Sequence, residues 1–453
     1  MKGRARASWK LAPPQWAGVM VMTLLVTACL PQGMRLPQSQ FLAAVERKSG
    51  LIAYLGADGN IYTVDQGGGE PTPVTTDAHS DDSGYRVYDV PAWSPDSLSL
   101  AFKAYSGLQG EQPSSISLFT AQKDGSQLVQ AHTGENNLVY YYWSPDSRRV
   151  AFLSATPGQT LALNLVAPDG GEAETVDVGR PYYWTWAPDS RSLLVHVGGA
   201  SPAPQAHLSL LQIESGVTEQ SLSIKPSEFK APAYSPDGSQ ALVAGETAEG
   251  NTALLLTDAL GGAPQTLVEY SGNIAFAWSP DGKRIAYVVT PSPRIGETGT
   301  LTVVDPTEKK KPVELKDQEV YGFFWSPDSK SLAYFTGELV RNEAATPEAG
   351  TPEASGATGS NETFVWRLSV MEASSGGSRT VVSGFRPTEQ FLQVLPYFDQ
   401  YHQSTTIWSP DSENLVISAY RGDGSPGIWI AAASGNLEPR FIADGWVGFW
   451  SWK

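Results

Sequence analysis

The chain is predicted to fold as a single all-β propeller. Three observations lead there. One turn motif returns seven times, mostly at spacings of forty-odd residues. The chain holds 14 Trp, and aromatics make up 10% of it. Gly (44) and Pro (33) punctuate its whole length. Many turns with many aromatics favour strands over helices. At 453 residues and 41% hydrophobic, the chain suffices for several average domains or one large repeat architecture.

The motif is an aromatic residue followed by Ser-Pro-Asp-Ser or a close variant. It begins at Trp93, Trp143, Trp186, Tyr234, Trp278, Trp325 and Trp408, with intervals of 50, 43, 48, 44, 47 and 83 residues. Ser can bond the local backbone, Pro presets φ, and Asp with Gly or Ser suits the end of a tight turn. An apolar run follows each copy, such as RRVAF after Ser147 or KRIAY after Gly282. Third strands follow, such as 160–171, 252–262 and 299–306, then a shorter fourth, such as 265–270. Each unit is a four-stranded meander, apolar on both faces, that must stack on its neighbours.

The ends supply a further unit. Trp450-Ser451 starts a motif 42 residues after Trp408 but has no sequel. Leu51 to Leu55, Asn60 to Asp65 and the stretch from Gln66 to Thr76 resemble the missing strands. Pairing of the N- and C-terminal strands would close the ring and remove its free edges. The count expected is eight four-stranded blades, or seven if this split blade does not form. Residues 49–453 form the propeller. Residues 338–362, with their tandem Thr-Pro-Glu-Ala, are expected to be a disordered low-complexity insertion within a blade. Residues 386–403 are a second insertion, aromatic and mixed in charge.

The turn followed by an Ile/Leu-Ala-Phe/Tyr strand resembles the propeller repeats of TolB. It is also similar to the propellers of dipeptidyl peptidase and prolyl oligopeptidase enzymes. The resemblance spans roughly residues 49–453 and implies the fold. The chain departs from TolB in having more than six units, a lipobox-like segment, and no room for a separate N-terminal α/β domain. A role in the Tol envelope system is therefore not carried over.

The N-terminus reads as an address. Residues 1–15 are basic and free of acid, and Trp16 to Ala28 form an apolar run too short to span a bilayer. The run ends Val26-Thr27-Ala28-Cys29, which resembles a bacterial lipobox. Residues 1–28 are thus expected to be a lipoprotein signal peptide. Cys29, the only cysteine, would carry a diacylglycerol group, and 29–48 would be a polar tether. The expected location is extracytoplasmic, anchored to a membrane. Loss of Lys2, Arg4, Arg6 and Lys10 leaves 27 basic residues against 47 acidic, a balance of −20. So acidic a surface repels nucleic acid, and a nucleic-acid partner is rejected.

Chemistry-bearing motifs are sparse. No Gly-x-Ser-x-Gly elbow occurs, and a lipidated Cys29 leaves no thiol nucleophile. His79, His132, His196, His207 and His402 form no metal-ligand pair by spacing. His196 and His207 lie on adjacent predicted strands, where ordinary packing competes with a shared zinc site. Asp77, Asp81 and Asp82 make an acidic loop without a calcium-loop pattern. No cofactor is expected. Arg421-Gly422-Asp423 reads as a hairpin loop.

The loops entering the innermost strands converge at the channel mouth. There Arg86, Tyr88, Asp89, Tyr141, Arg180, Tyr183, Tyr321, Asp399, Tyr401 and His402 suit a protein, peptide or glycan partner. The leading expectation is a non-catalytic binding or scaffold module. The alternative is a carbohydrate- or peptide-acting enzyme with its site at the mouth. A glycan-cleaving site would need paired carboxylates there, for which Asp89 and Asp399 are the candidates. A third possibility is an assembly component acting through a blade edge.

Overall fold

The computed structural model describes residues 48–134, 137–292, 297–307, 311–341 and 362–453. The expected signal segment, Cys29 and nearly all of the expected tether lie outside them, as does most of 338–362. The ends of that insertion are ordered strand: Ser331–Arg341 pairs with Glu362–Glu372 along its whole length.

The described strands assemble into seven sheets, so the ring is a seven-bladed propeller and not the eight-bladed one expected. Five sheets are four-stranded antiparallel meanders and two have six strands. The miscount lies at the closure. The terminal strands do pair, Ile52 against Trp450 and Leu55 against Val447. But Arg440–Trp450 is continuous, and its first half pairs with Pro426–Ala432. The two end units therefore merge into one six-stranded sheet running from Thr72–Pro73 to Asn414–Tyr420. Hand-over between the halves falls at Gly445, where a Cβ would meet the Leu55 carbonyl oxygen at 2.8 Å.

The repeated motif has two tasks. Within a turn, Ser94 Oγ donates to Asp96 at 2.6 Å and accepts from the Ser99 N–H at 2.9 Å. The last motif residue is left-handed, with φ between 59° and 63° at Ser97, Ser147, Ser190, Ser329 and Ser412. Between blades, the Ser147 hydroxyl accepts from the Asp96 N–H at 3.1 Å. Ser190, Ser329 and Ser412 take the N–H groups of Asp146, Asp281 and Asp328 in the same way. The indoles staple the innermost strands. Trp143 Nε1 donates to Ala92, Trp408 to Phe324, and Trp93 across the closure to Phe449.

The second six-stranded sheet explains a feature of the mouth. Its innermost strand is broken into Gly84–Tyr88 and Ala92–Trp93, both pairing with Ser99–Gly107. Asp89 still donates its N–H to the Lys103 carbonyl at 3.0 Å, opposite which it falls in the register, and the ladder breaks after it, before Pro91, which has no N–H to give.

Insertion 386–403 becomes a helical plug over the mouth. Thr388 caps the helix Glu389–Val394, accepting from the Phe391 N–H at 3.4 Å. A 3-10 turn, Leu395–Tyr397, and a short helix, Phe398–Tyr401, follow. Phe391, Val394, Leu395 and Phe398 are buried. Phe398 meets Phe323 at 4.9 Å and Phe391 meets Phe335 at 5.2 Å between ring centres. On the plug's other side, Gln403 accepts from the Tyr142 hydroxyl at 2.9 Å.

Candidate functional site

Two cavities flank the plug and share Val139, Tyr140, Tyr397 and Tyr401 as a common wall. The first, of about 260 Å³, is lined by Asp89, Lys103, Tyr105, Tyr141 and Ser404 among others. The second, of about 360 Å³, is aromatic, with Tyr182, Tyr183, Phe229 and Gln400 in its lining.

The first cavity is built around one buried ion pair. Asp89 lies opposite Lys103 across the strand pair, and Nζ lies 3.0 Å from Oδ2. Tyr105 donates to the same carboxylate at 3.3 Å, and the Val90 N–H to its other oxygen at 2.8 Å. Burial acts to raise the Asp89 pKa, but Lys103 and these donors outweigh it and hold the carboxyl below its usual range. Burial alone would lower the Lys103 pKa. The Asp89 charge wins, and the ammonium is held well above its ordinary value. Nζ lies 5.3 Å from the Tyr105 ring centre and 6.0 Å from that of Tyr141. One Lys103 N–H serves Asp89 and another reaches the Leu138 carbonyl at 3.4 Å. The Tyr105 hydroxyl is also within hydrogen-bonding reach of the ammonium. Burial pushes the Tyr401 hydroxyl up to about 12, with Lys103 opposing and Asp89 adding to the shift.

In the second cavity Tyr183 stacks on Phe229 at 4.4 Å. Tyr182 donates to Asp177 at 2.8 Å. Tyr140 stands between the cavities, its hydroxyl on the Gln400 carbonyl and on Ser404.

Of the ten positions expected to bind, the structure brings four to this cleft: Asp89, Tyr141, Tyr183 and Tyr401. The other six serve elsewhere. Arg86 pairs with Asp77 at 2.7 Å. Tyr88 donates to Asp77 and is buried against Phe102. Arg180 donates to the Gln159 carbonyl. Tyr321 packs on Trp366 at 4.7 Å. Asp399 faces Lys230 at 3.8 Å. His402 Nδ1 is buried without a partner, and burial, opposed by the Asp399 charge, lowers the pKa of the ring.

Sequence reasoning missed Lys103, Tyr105 and Phe229; Tyr140 and Gln400 fall in the segments 136–142 and 397–402 expected at the mouth but were not singled out. Lys103 carried a signal, since it interrupts the buried run of Ser99–Gly107, where a charge needs a partner.

The metal alternatives do not survive the geometry. His196 Nδ1 accepts from the Lys230 N–H at 3.3 Å, and its Nε2 faces the Gly199 carbonyl at 2.8 Å. Neither nitrogen is available. Asp77 is committed to Arg86 and Tyr88, and no cluster of three metal-ligating side chains occurs among the described residues. Nor, among them, is any histidine hydrogen-bonded to a serine or threonine hydroxyl.

The chain is a seven-bladed propeller with a plugged mouth and an aromatic, charge-bearing cleft beside the plug. No family model matches it. It is 29% identical over 208 residues to "Uncharacterized peptidase YuxL" of Bacillus subtilis. That match covers 44% of this chain and only 28% of the relative's length. Dihydro-heme d1 dehydrogenase NirN is a structural neighbour at TM-score 0.54 and 14% identity, covering 93% of this chain and 78% of the other. Putative TolB from Agrobacterium tumefaciens is another, at TM-score 0.37 and 16% identity over 61% and 91%. These two likenesses concern the fold. TolB-like propellers thus occur among the structural neighbours. The relationship to a peptidase corrects the expectation of a non-catalytic module: the alternative of an enzyme acting at the mouth fits better.

Proposed function

We propose that the chain is a peptide-acting enzyme whose substrate lies in the double cleft beside the helical plug, and that it is exported and tethered to a membrane through Cys29. The observation that carries this is the joining of a buried, fully charged Asp89–Lys103 pair to an aromatic chamber through a shared wall. The Lys103 charge in the cavity wall attracts a substrate carbonyl or carboxylate oxygen, and the chamber takes an apolar side chain. The similarity to a peptidase over 208 residues supports peptides over glycans. So does the state of Asp89. Glycoside cleavage needs one carboxyl with a raised pKa as general acid, and Asp89 is shifted the other way. Its proposed partner Asp399 faces a lysine of its own. The cleft is assigned to substrate binding, not to a serine nucleophile.

The test is to incubate the purified full chain with a defined peptide mixture and read new termini by mass spectrometry. Cleavage that falls at least tenfold in Tyr401→Ala would support the reading. No cleavage of any peptide would overturn it.

A further inference from the structure

The aromatic chamber carries three hydroxyls that the fold does not use. Five tyrosines line it. Two are spent: Tyr140 bonds the Gln400 carbonyl and Ser404, and Tyr182 donates to Asp177 at 2.8 Å. The hydroxyls of Tyr183, Tyr397 and Tyr401 have no hydrogen-bond partner among the described residues. Tyr183 and Tyr401 are half-buried with hydroxyls that stay open to solvent, and Tyr397 is 39% exposed. The Gln400 carboxamide, the other polar group of the lining, is closed off. The three open hydroxyls stand near one another. Burial pushes the Tyr183 hydroxyl up, and Asp399, Tyr397 and Tyr401 add to the shift. Burial also leads at Tyr401, where Tyr397 is again among the contributors.

The surroundings narrow the ligand. No charged side chain lines the chamber. The carboxylates behind it are committed, Asp399 to Lys230, Asp177 to Tyr182 and Glu228 to Tyr270. An ammonium or carboxylate would therefore be desolvated here without a counter-charge in contact. A purely apolar group would leave the hydroxyls facing it unpaired, at a cost. A sugar carries hydroxyls around its whole ring and would set several against Leu153, Leu161 and Pro181. A phenol has an apolar body and one polar edge that both donates and accepts. We propose that the chamber is a tyrosine subsite. The phenol of a substrate tyrosine lies beside the stacked rings of Tyr183 and Phe229, with its hydroxyl among those of Tyr183, Tyr397 and Tyr401. The inference rests on the reading of the mouth as a peptide site and specifies which residue enters it.

The test titrates N-acetyl-tyrosinamide and N-acetyl-phenylalaninamide into the full chain by calorimetry. A site that bonds a ligand hydroxyl rejects the analogue lacking it. The wild type should bind the tyrosine amide at least about tenfold more tightly, the margin of one or two net hydrogen bonds. The double variant Tyr183→Phe/Tyr397→Phe keeps both rings and removes two hydroxyls. Its preference should fall to about twofold, with the affinity for the phenylalanine amide within about twofold of wild type. Its Tm should not fall, because neither hydroxyl bonds the rest of the fold. A lower Tm with the preference intact assigns the hydroxyls to structure and overturns the proposal. So does equal affinity of the wild type for the two amides, or binding of methyl β-glucoside in preference to both. If the double variant does not fold, Tyr397→Phe alone serves, and an undiminished preference again overturns the proposal. The two readings fail separately. A preference lost with the hydroxyls, without cleavage of any peptide, upholds the subsite and sinks the enzyme. Peptide cleavage with no preference for tyrosine at any position does the reverse.

Discussion

Lys103 keeps its charge inside the wall of a cavity only because Asp89 lies 3.0 Å away. Removing one member of such a pair leaves a buried charge without compensation. Lys103→Met should therefore destabilise the fold by about 3–5 kcal/mol in urea unfolding, and adding Asp89→Asn should restore part of the loss. The pair also sets an acid limit. The Asp89 pKa is depressed in the folded state. Its contribution is thus full above the unfolded-state value near 3.8 and is lost as pH falls through the lower folded value. As pH falls below about 4 the wild type should lose more stability than D89N does, as a pH series of Tm would show. Half of this pair was legible in the sequence. Asp89 sat in a loop expected at the mouth, whereas Lys103 lies on the second strand, and loop reasoning does not reach across a strand register.

At the scale of the element, the repeated turn was legible as a turn but not as a joint. Trp, Pro and Asp indicated the hairpin, and its spacing gave the unit. What the spacing does not reveal is that the turn's last serine reaches back to the Asp N–H of the preceding motif. The left-handed backbone explains why two of the seven copies carry Gly there, Gly238 and Gly282. Ser at the same φ costs about 1 kcal/mol in strain and regains about as much from the bond to a neighbouring Asp N–H. Ser147→Gly should therefore be close to neutral. Ser147→Ala keeps the strain, loses the bond to Asp96, and should cost about 1 kcal/mol by thermal denaturation. The plug was visible only as an insertion. Its helices form because Phe391, Val394, Leu395 and Phe398 bury one face against Phe323 and Phe335, and those partners come from a distant sheet that local periodicity cannot show.

At the scale of the whole molecule, the propeller class and the pairing of its ends followed from the repeats, and the blade count did not. Eight motif-bearing units occupy seven sheets because Arg440–Trp450 serves two of them. Gly445 permits the hand-over, so Gly445→Val should cost about 2–3 kcal/mol and broaden the unfolding transition. The proposed membrane tether is tested by fractionation: Cys29→Ser should move the protein from the membrane pellet to the soluble fraction. The first described residues run along the turn side of the ring, where a Cβ on Gly50 would touch Pro410 and Ser451. At that seam Leu51 N–H donates to Ser451 Oγ, and Ser451 N–H donates back to the Leu51 carbonyl. The fold thus has no privileged starting point. A circular permutant that joins Lys453 to Ser49 through a short glycine linker, and opens at Gly422–Gly424 in an exposed hairpin, would keep every sheet intact. The shared strand would then come directly before its partner Ile52–Gly56 across the linker, and the ring would shut instead at the opened hairpin between Asn414–Tyr420 and Pro426–Ala432.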